Sequence, residues 1–128
     1  MSELAFAEGV IERLRARGGR QFDERAYLFV LSAIEYLQGR LDARRHVSGA
    51  ELAEACRTFA QAQYGLLARD VLGCWGITST ADFGRIVYAL VEIGLLVTQP
   101  HDREGDFVDV YDFADAFEDG YEWRGIPR

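Results

Sequence analysis

The feature that most constrains this chain is the run from Ser79 to Gly94, STADFGRIVYALVEIG. Phe83, Ile86, Val87, Leu90 and Ile93 recur three and four residues apart, which lays them along one face of a helix. Ser79 and Asp82 stand at capping-box spacing ahead of that stripe, with aspartate in the usual glutamate position, and Gly94 follows it. The segment therefore carries its own start, stop and buried face.

Weaker copies of the same grammar occupy the chain upstream. Residues 3 to 17 repeat Leu4, Ala7, Ile11 and Leu14 at helical spacing before Gly18 and Gly19. Asp23 is the expected N-cap of a second helix, with Tyr27, Leu31, Ile34, Leu37 and Leu41 as its stripe. Ser48 and Glu51 have full capping-box spacing for a third, whose buried face is Leu52, Ala55 or Cys56, and Phe59. After Gly65 a shorter helix holds Leu66, Leu67, Val71, Leu72 and Trp75, and Gly76 closes it.

Beyond Gly94 the period changes. Leu95 to Gln99 reads as a strand, Pro100 to Asp106 as a polar loop, and Phe107 to Phe113 as a returning strand with Phe107, Asp109, Tyr111 and Phe113 on one face. The expected fold is thus mainly α (α+β), a helical domain with a C-terminal winged-helix-like β-hairpin. Its single domain, residues 1–128, divides into a helical N-terminal half (1–64), a winged-helix-like half (65–113) and an acidic aromatic tail (114–128). That length buries a core without disulfides or a structural metal, and Cys56 and Cys74 read as buried thiols, not as a crosslink.

Charge is unevenly spread. The net charge is −7, yet residues 1 to 101 are nearly balanced, while Asp102, Glu104, Asp106, Asp109, Asp112, Asp115, Glu118, Asp119 and Glu122 face Arg103 alone between 102 and 122. No lysine occurs. The first residues contain no apolar run of signal-peptide type and no later run is long enough to cross a bilayer, so a cytoplasmic location without membrane partners is expected.

Leu67, Ala68, Leu72 and Gly73, then Ile77, Ser79, Thr80, Ile86, Val87, Leu90, Glu92, Gly94 and Leu95, and finally Asp102 and Arg103 resemble the core of MarR-type winged-helix regulators. The resemblance implies a helix for the major groove and a wing-tip arginine for the minor groove. A broader likeness, carried by AYLFVLSAIEYLQGRL, HVSGAELAEACRTFAQAQYG, GITSTADFGRIVYALVEIGLL and YDFADAFE, is to a family of small bacterial proteins known only as uncharacterised repeat proteins. It implies a shared fold and no activity or cofactor.

Chemistry-bearing patterns are sparse. A calcium loop begun at Asp102 would put Phe107 and Phe113 where glycine and glutamate belong, which leaves only a looser trio, Asp109, Asp112 and Asp115. His46 and His101 fall in loops outside any catalytic motif, and with Cys56 and Cys74 they lack paired zinc-ligand spacing. No catalytic residue, metal, cofactor or small-molecule ligand is expected, and the chain reads as non-enzymatic.

The leading expectation is an interaction or regulatory module whose acidic hairpin and tail dock on a protein with a basic surface. Tyr111, Phe117, Tyr121 and Trp123 would be the anchors, although packing into the core would explain them equally well. The alternative is a nucleic-acid-associated winged-helix regulator using Arg13, Arg17, Arg20, Arg85 and Arg103, though the carboxylates beside Arg85 and Arg103 oppose phosphate. Arg44, Arg45 and His46 form a second small basic patch.

Overall fold

In the computed structural model of the chain, residue 9 and residues 12–16, 22–43 and 45–119 are described, without the side chains of 118 and 119. The helical block consists of α1 (Glu24–Gly39), α2 (Gly49–Tyr64), a 3-10 turn (Gly65–Leu67), α3 (Ala68–Cys74) and α4 (Thr80–Glu92). A strap of irregular chain follows, containing a 3-10 turn at Glu104–Phe107 and a π-helical turn at Asp115–Asp119. None of the described helices is long and apolar enough to cross a membrane.

The helix boundaries lie where the local signals put them. Asp23 caps α1 by accepting from the Arg25 amide at 2.9 Å. Ser48 and Glu51 close a complete capping box on α2, at 3.1 and 3.0 Å. Gly76 and Gly94 adopt positive φ of 92° and 86°. That conformation lets Ile77 donate to the Leu72 carbonyl and Leu95 to that of Leu90, which satisfies the last carbonyls of α3 and α4.

At the start of α4 one signal is used differently. Ser79 occupies the N-cap position without a side-chain hydrogen bond. Asp82 reaches further back, accepting from the Thr78 amide at 2.9 Å and its hydroxyl at 3.2 Å, and also pairs with Arg85. A shorter carboxylate than glutamate, at the same position, still neutralises the helix terminus.

Tyr27, Val30, Cys56, Leu72, Phe83, Ile86 and Leu90 meet in one core. The buried face of α1 is Ala26, Tyr27, Phe29, Val30 and Ala33, rotated from the expected stripe, with Leu31 and Ile34 only partly buried against it. Ala26 and Ala33 share that face with Tyr27 and Phe29, and α2 and α4 both pack on α1. Cys56 is buried as expected, whereas Cys74 is exposed at the end of α3.

The expected winged-helix hairpin is corrected: no strand occurs among the described residues. Phe107 and Phe113 are buried, as one-sided alternation requires, but Asp109 breaks the run with φ of 52°. Several amides of this strap bond within it, and two of its donors reach the helices in place of a partner strand. The Val110 amide donates to Thr80 Oγ1 at 3.2 Å, and the Tyr111 hydroxyl to the Ala53 carbonyl at 2.6 Å. Alternating polarity reports that one side of a chain is covered; it does not name the covering element.

Phe107 is the central rivet of the strap. A Cβ added at Gly84 would lie 2.9 Å from the Phe107 Cβ, and one at Gly49 would lie 3.1 Å from its ring. The two glycines let α4, α2 and the strap converge around a single aromatic side chain.

Candidate functional site

Between α1, α2, α4 and the strap lies a half-open cavity of about 260 Å³. Ile34, Leu52, Val87, Val91, Leu96 and Phe107 make its wall apolar, and Tyr88, His46, Asp102, Arg103 and Asp106 bring polar groups to it. Each wall residue is at once a helix or strap residue of the fold. Leu96 and Val97, at the start of the strap, line the cavity together with Phe107. Val97 stays 86% exposed at its edge.

Capping the start of α2 organises one side of the mouth. Gln38 on α1 donates to the Arg45 carbonyl at 2.8 Å and accepts from the Arg45 amide at 3.3 Å. The Arg45 guanidinium in turn grips Glu51 at 2.7 Å and donates to the His46 carbonyl at 2.9 Å. The Arg45 guanidinium and the Ser48 amide hold the Glu51 carboxyl down at about 2. These contacts fix residues 45–48, and therefore the place from which His46 projects.

The strap supplies the other side. Asp102 Oδ2 accepts from the Gln99 amide at 2.7 Å and lies 2.8 Å from His46 Nε2. The amide bond comes first, and His46 second, in holding the Asp102 carboxyl below its usual value, against the opposing effect of burial. His101 Nε2 lies 3.9 Å from Asp102 Oδ1, and the two imidazoles meet edge to face at 6.2 Å between centroids. Tyr88 has its hydroxyl pKa raised, first by burial and then by the nearby carboxylates of Asp102, Asp106 and Glu104. Carboxylates thus gather on the strap side of the mouth, beside Arg103.

The residues expected to act fall elsewhere or do other work. Phe117 is 1% exposed and packs edge-on against Phe113 at 5.0 Å. Tyr111 stacks with Phe113, lies under the Arg57 guanidinium, and has its hydroxyl pKa pushed up by burial. Of the two readings open for these aromatics, docking or packing, Phe117 lies in the core and Tyr111 packs partly buried against it, where a strap without β-pairing depends on side chains for its attachment. Tyr121 and Trp123 lie outside the described residues.

Among the arginines, Arg13 donates to the Ile93 carbonyl at the end of α4, and Arg85 pairs with Asp82. Arg103 is exposed at the cavity, and Arg17 and Arg20 lie outside the described residues. Asp109, Asp112 and Asp115 do not converge: Asp112 caps the last turn, accepting from the Ala114 amide at 3.0 Å. The ligand-bearing group that does converge among the described residues is His46, His101 and Asp102.

Sequence reasoning missed the cavity and this cluster. The His101–Asp102 pair was visible as neighbours, but nothing local joins them to His46. A search against family models, curated proteins and solved structures returns no match to this chain.

Proposed function

We propose that the chain is a non-enzymatic interaction module whose cavity receives one apolar side chain from a basic segment of a partner protein. The observation that carries this reading is the coincidence of a half-open apolar cavity with a carboxylate-rich strap at its rim. At about 260 Å³ the cavity lies below the ~300–1,000 Å³ of typical small-molecule sites, which favours a single anchoring side chain over a whole ligand.

Charge selects the partner. Glu104, Asp106 and Asp109 are exposed along the strap and outnumber the exposed Arg103 among them, while Arg45 is engaged by Glu51. A cation flanking the apolar anchor would meet this rim, gaining association rate and specificity more than raw affinity. The apolar insertion supplies most of the binding free energy, as buried anchors do in protein interfaces generally.

The test is selection of peptides from a random display library, followed by fluorescence anisotropy with the selected sequences. Enrichment of an apolar residue flanked by Lys or Arg is expected. Val91→Trp, which fills the cavity, should weaken binding by about ten-fold or more. Glu104→Arg at the exposed rim should weaken it several-fold and flatten its dependence on salt. Enrichment of acidic peptides, or binding indifferent to Val91→Trp in a folded variant, would refute the reading.

A further inference from the structure

We propose that His46, His101 and Asp102 form a binding site for a divalent transition metal ion of the zinc class. This inference stands on the cluster itself and does not depend on the proposed peptide site. One ligand atom from each residue lies within 4.8 Å of the other two. Two imidazoles and a carboxylate are a donor set suited to Zn²⁺, Ni²⁺ or Co²⁺, and unsuited to the all-oxygen preferences of Ca²⁺ and Mg²⁺.

Two imidazoles approach the two oxygens of one carboxylate. His46 alone would satisfy Asp102 Oδ2, which it approaches at 2.8 Å. The second imidazole stands 3.9 Å from Asp102 Oδ1, too far for a hydrogen bond and close enough for both atoms to share an ion. A tetrahedral zinc with bonds of about 2.0–2.2 Å places its ligands roughly 3.4 Å apart, so binding needs the 2.8 Å His46–Asp102 contact to open around the ion and His101, now 3.9 Å from Asp102, to draw in. His101, whose side chain is 80% exposed, is free to make that movement.

The rest of the cluster is pre-set. His46 projects from residues pinned by Gln38 and Glu51, and the Gln99 amide orients Asp102 Oδ2 as an outer-sphere hydrogen bond orients a ligating carboxylate. Three protein ligands leave a coordination position unfilled. Two of them, His46 and Asp102, line the cavity. A bound ion would tie the α1–α2 loop to the strap across 55 residues of sequence and close one side of the cavity mouth.

The experiment is titration of the full chain with Zn²⁺ alone, followed by calorimetry and by the imidazole C–H resonances in proton NMR. The chain has only two histidines, so both signals are assignable by substitution. One ion per chain should bind, with His46 and His101 shifting together at the same equivalence point, and Co²⁺ should give visible d–d absorption. His101→Ala removes an exposed side chain and should weaken binding by about ten-fold or more while leaving thermal stability without metal unchanged. His46→Ala and Asp102→Asn should weaken it as strongly. Absence of binding at about 100 μM Zn²⁺ would overturn the proposal. So would a shift of one histidine without the other, or unchanged affinity in His101→Ala.

Discussion

The helical block and the strap are held by different means. In α1, α2 and α4 the backbone satisfies itself, caps close the ends, and apolar faces meet in a common core. From Leu95 onward the chain forms no strand among the described residues, and its regular hydrogen bonding is confined to the short turns at Glu104–Phe107 and Asp115–Asp119. It is fastened at points: Phe107 against Gly49 and Gly84, the Val110 amide on Thr80, the Tyr111 hydroxyl on Ala53, and Phe113 with Phe117. Point fastening leaves space between attachments, and the cavity occupies such a space. The irregular part of the fold is therefore where the cavity opens and where His101 and Asp102 meet His46.

The strongest challenge to this division is Phe83→Ala. Phe83 faces Phe29 of the block and Phe113 of the strap, at 6.4 and 5.8 Å between ring centroids. Its truncation should cost about 3–5 kcal/mol and lower the urea midpoint for block and strap together. Separate transitions by far-UV circular dichroism and by a strap-specific probe would show that the two regions fold independently.

Gly84→Ala tests the seam alone. The added Cβ meets Phe107 near its own Cβ, an atom that cannot swing aside, so a loss of about 1–3 kcal/mol is expected. Hydrogen exchange should quicken at residues 107–111 more than inside α1 or α2. Equal acceleration everywhere would mean that the strap is integral to the block.

The smallest effect concerns the loop that presents His46. Glu51 ionises at about 2 when folded, against an ordinary 4.5, so its contribution is present above the ordinary carboxylate range and is lost as pH falls toward 2. The Arg45–Glu51 pair is largely exposed, and solvent screening limits it to less than about 1 kcal/mol. Glu51→Gln should lower the neutral plateau slightly and flatten the acid limb of a stability–pH curve below pH 4.5, because the ionised carboxylate it removes stabilises only above that range. An unchanged acid limb would assign the acid sensitivity to other carboxylates.

Legibility followed the range of each interaction. Asp23, Ser48 with Glu51, Gly76 and Gly94 were readable because a cap involves residues only a few positions apart. The α4 stripe was readable for the same reason, since Phe83, Ile86, Val87 and Leu90 share a face by helical geometry alone. The strap misled because alternation at Phe107, Tyr111 and Phe113 is equally compatible with pairing to a strand and with lying across helices. Aromatic residues in an acidic setting fit a docking surface and a packed core equally well by sequence; Tyr111 and Phe117 pack against Phe113.

By itself the sequence determined the helices, their ends and the mainly α character of the chain, because those depend on neighbours within about one turn. Tertiary structure alone decided what the strap crosses, where the cavity opens and which histidine meets Asp102. The distance between Cα atoms 55 residues apart is set by how α1, α2 and α4 pack, and no local pattern around His46 or His101 encodes it.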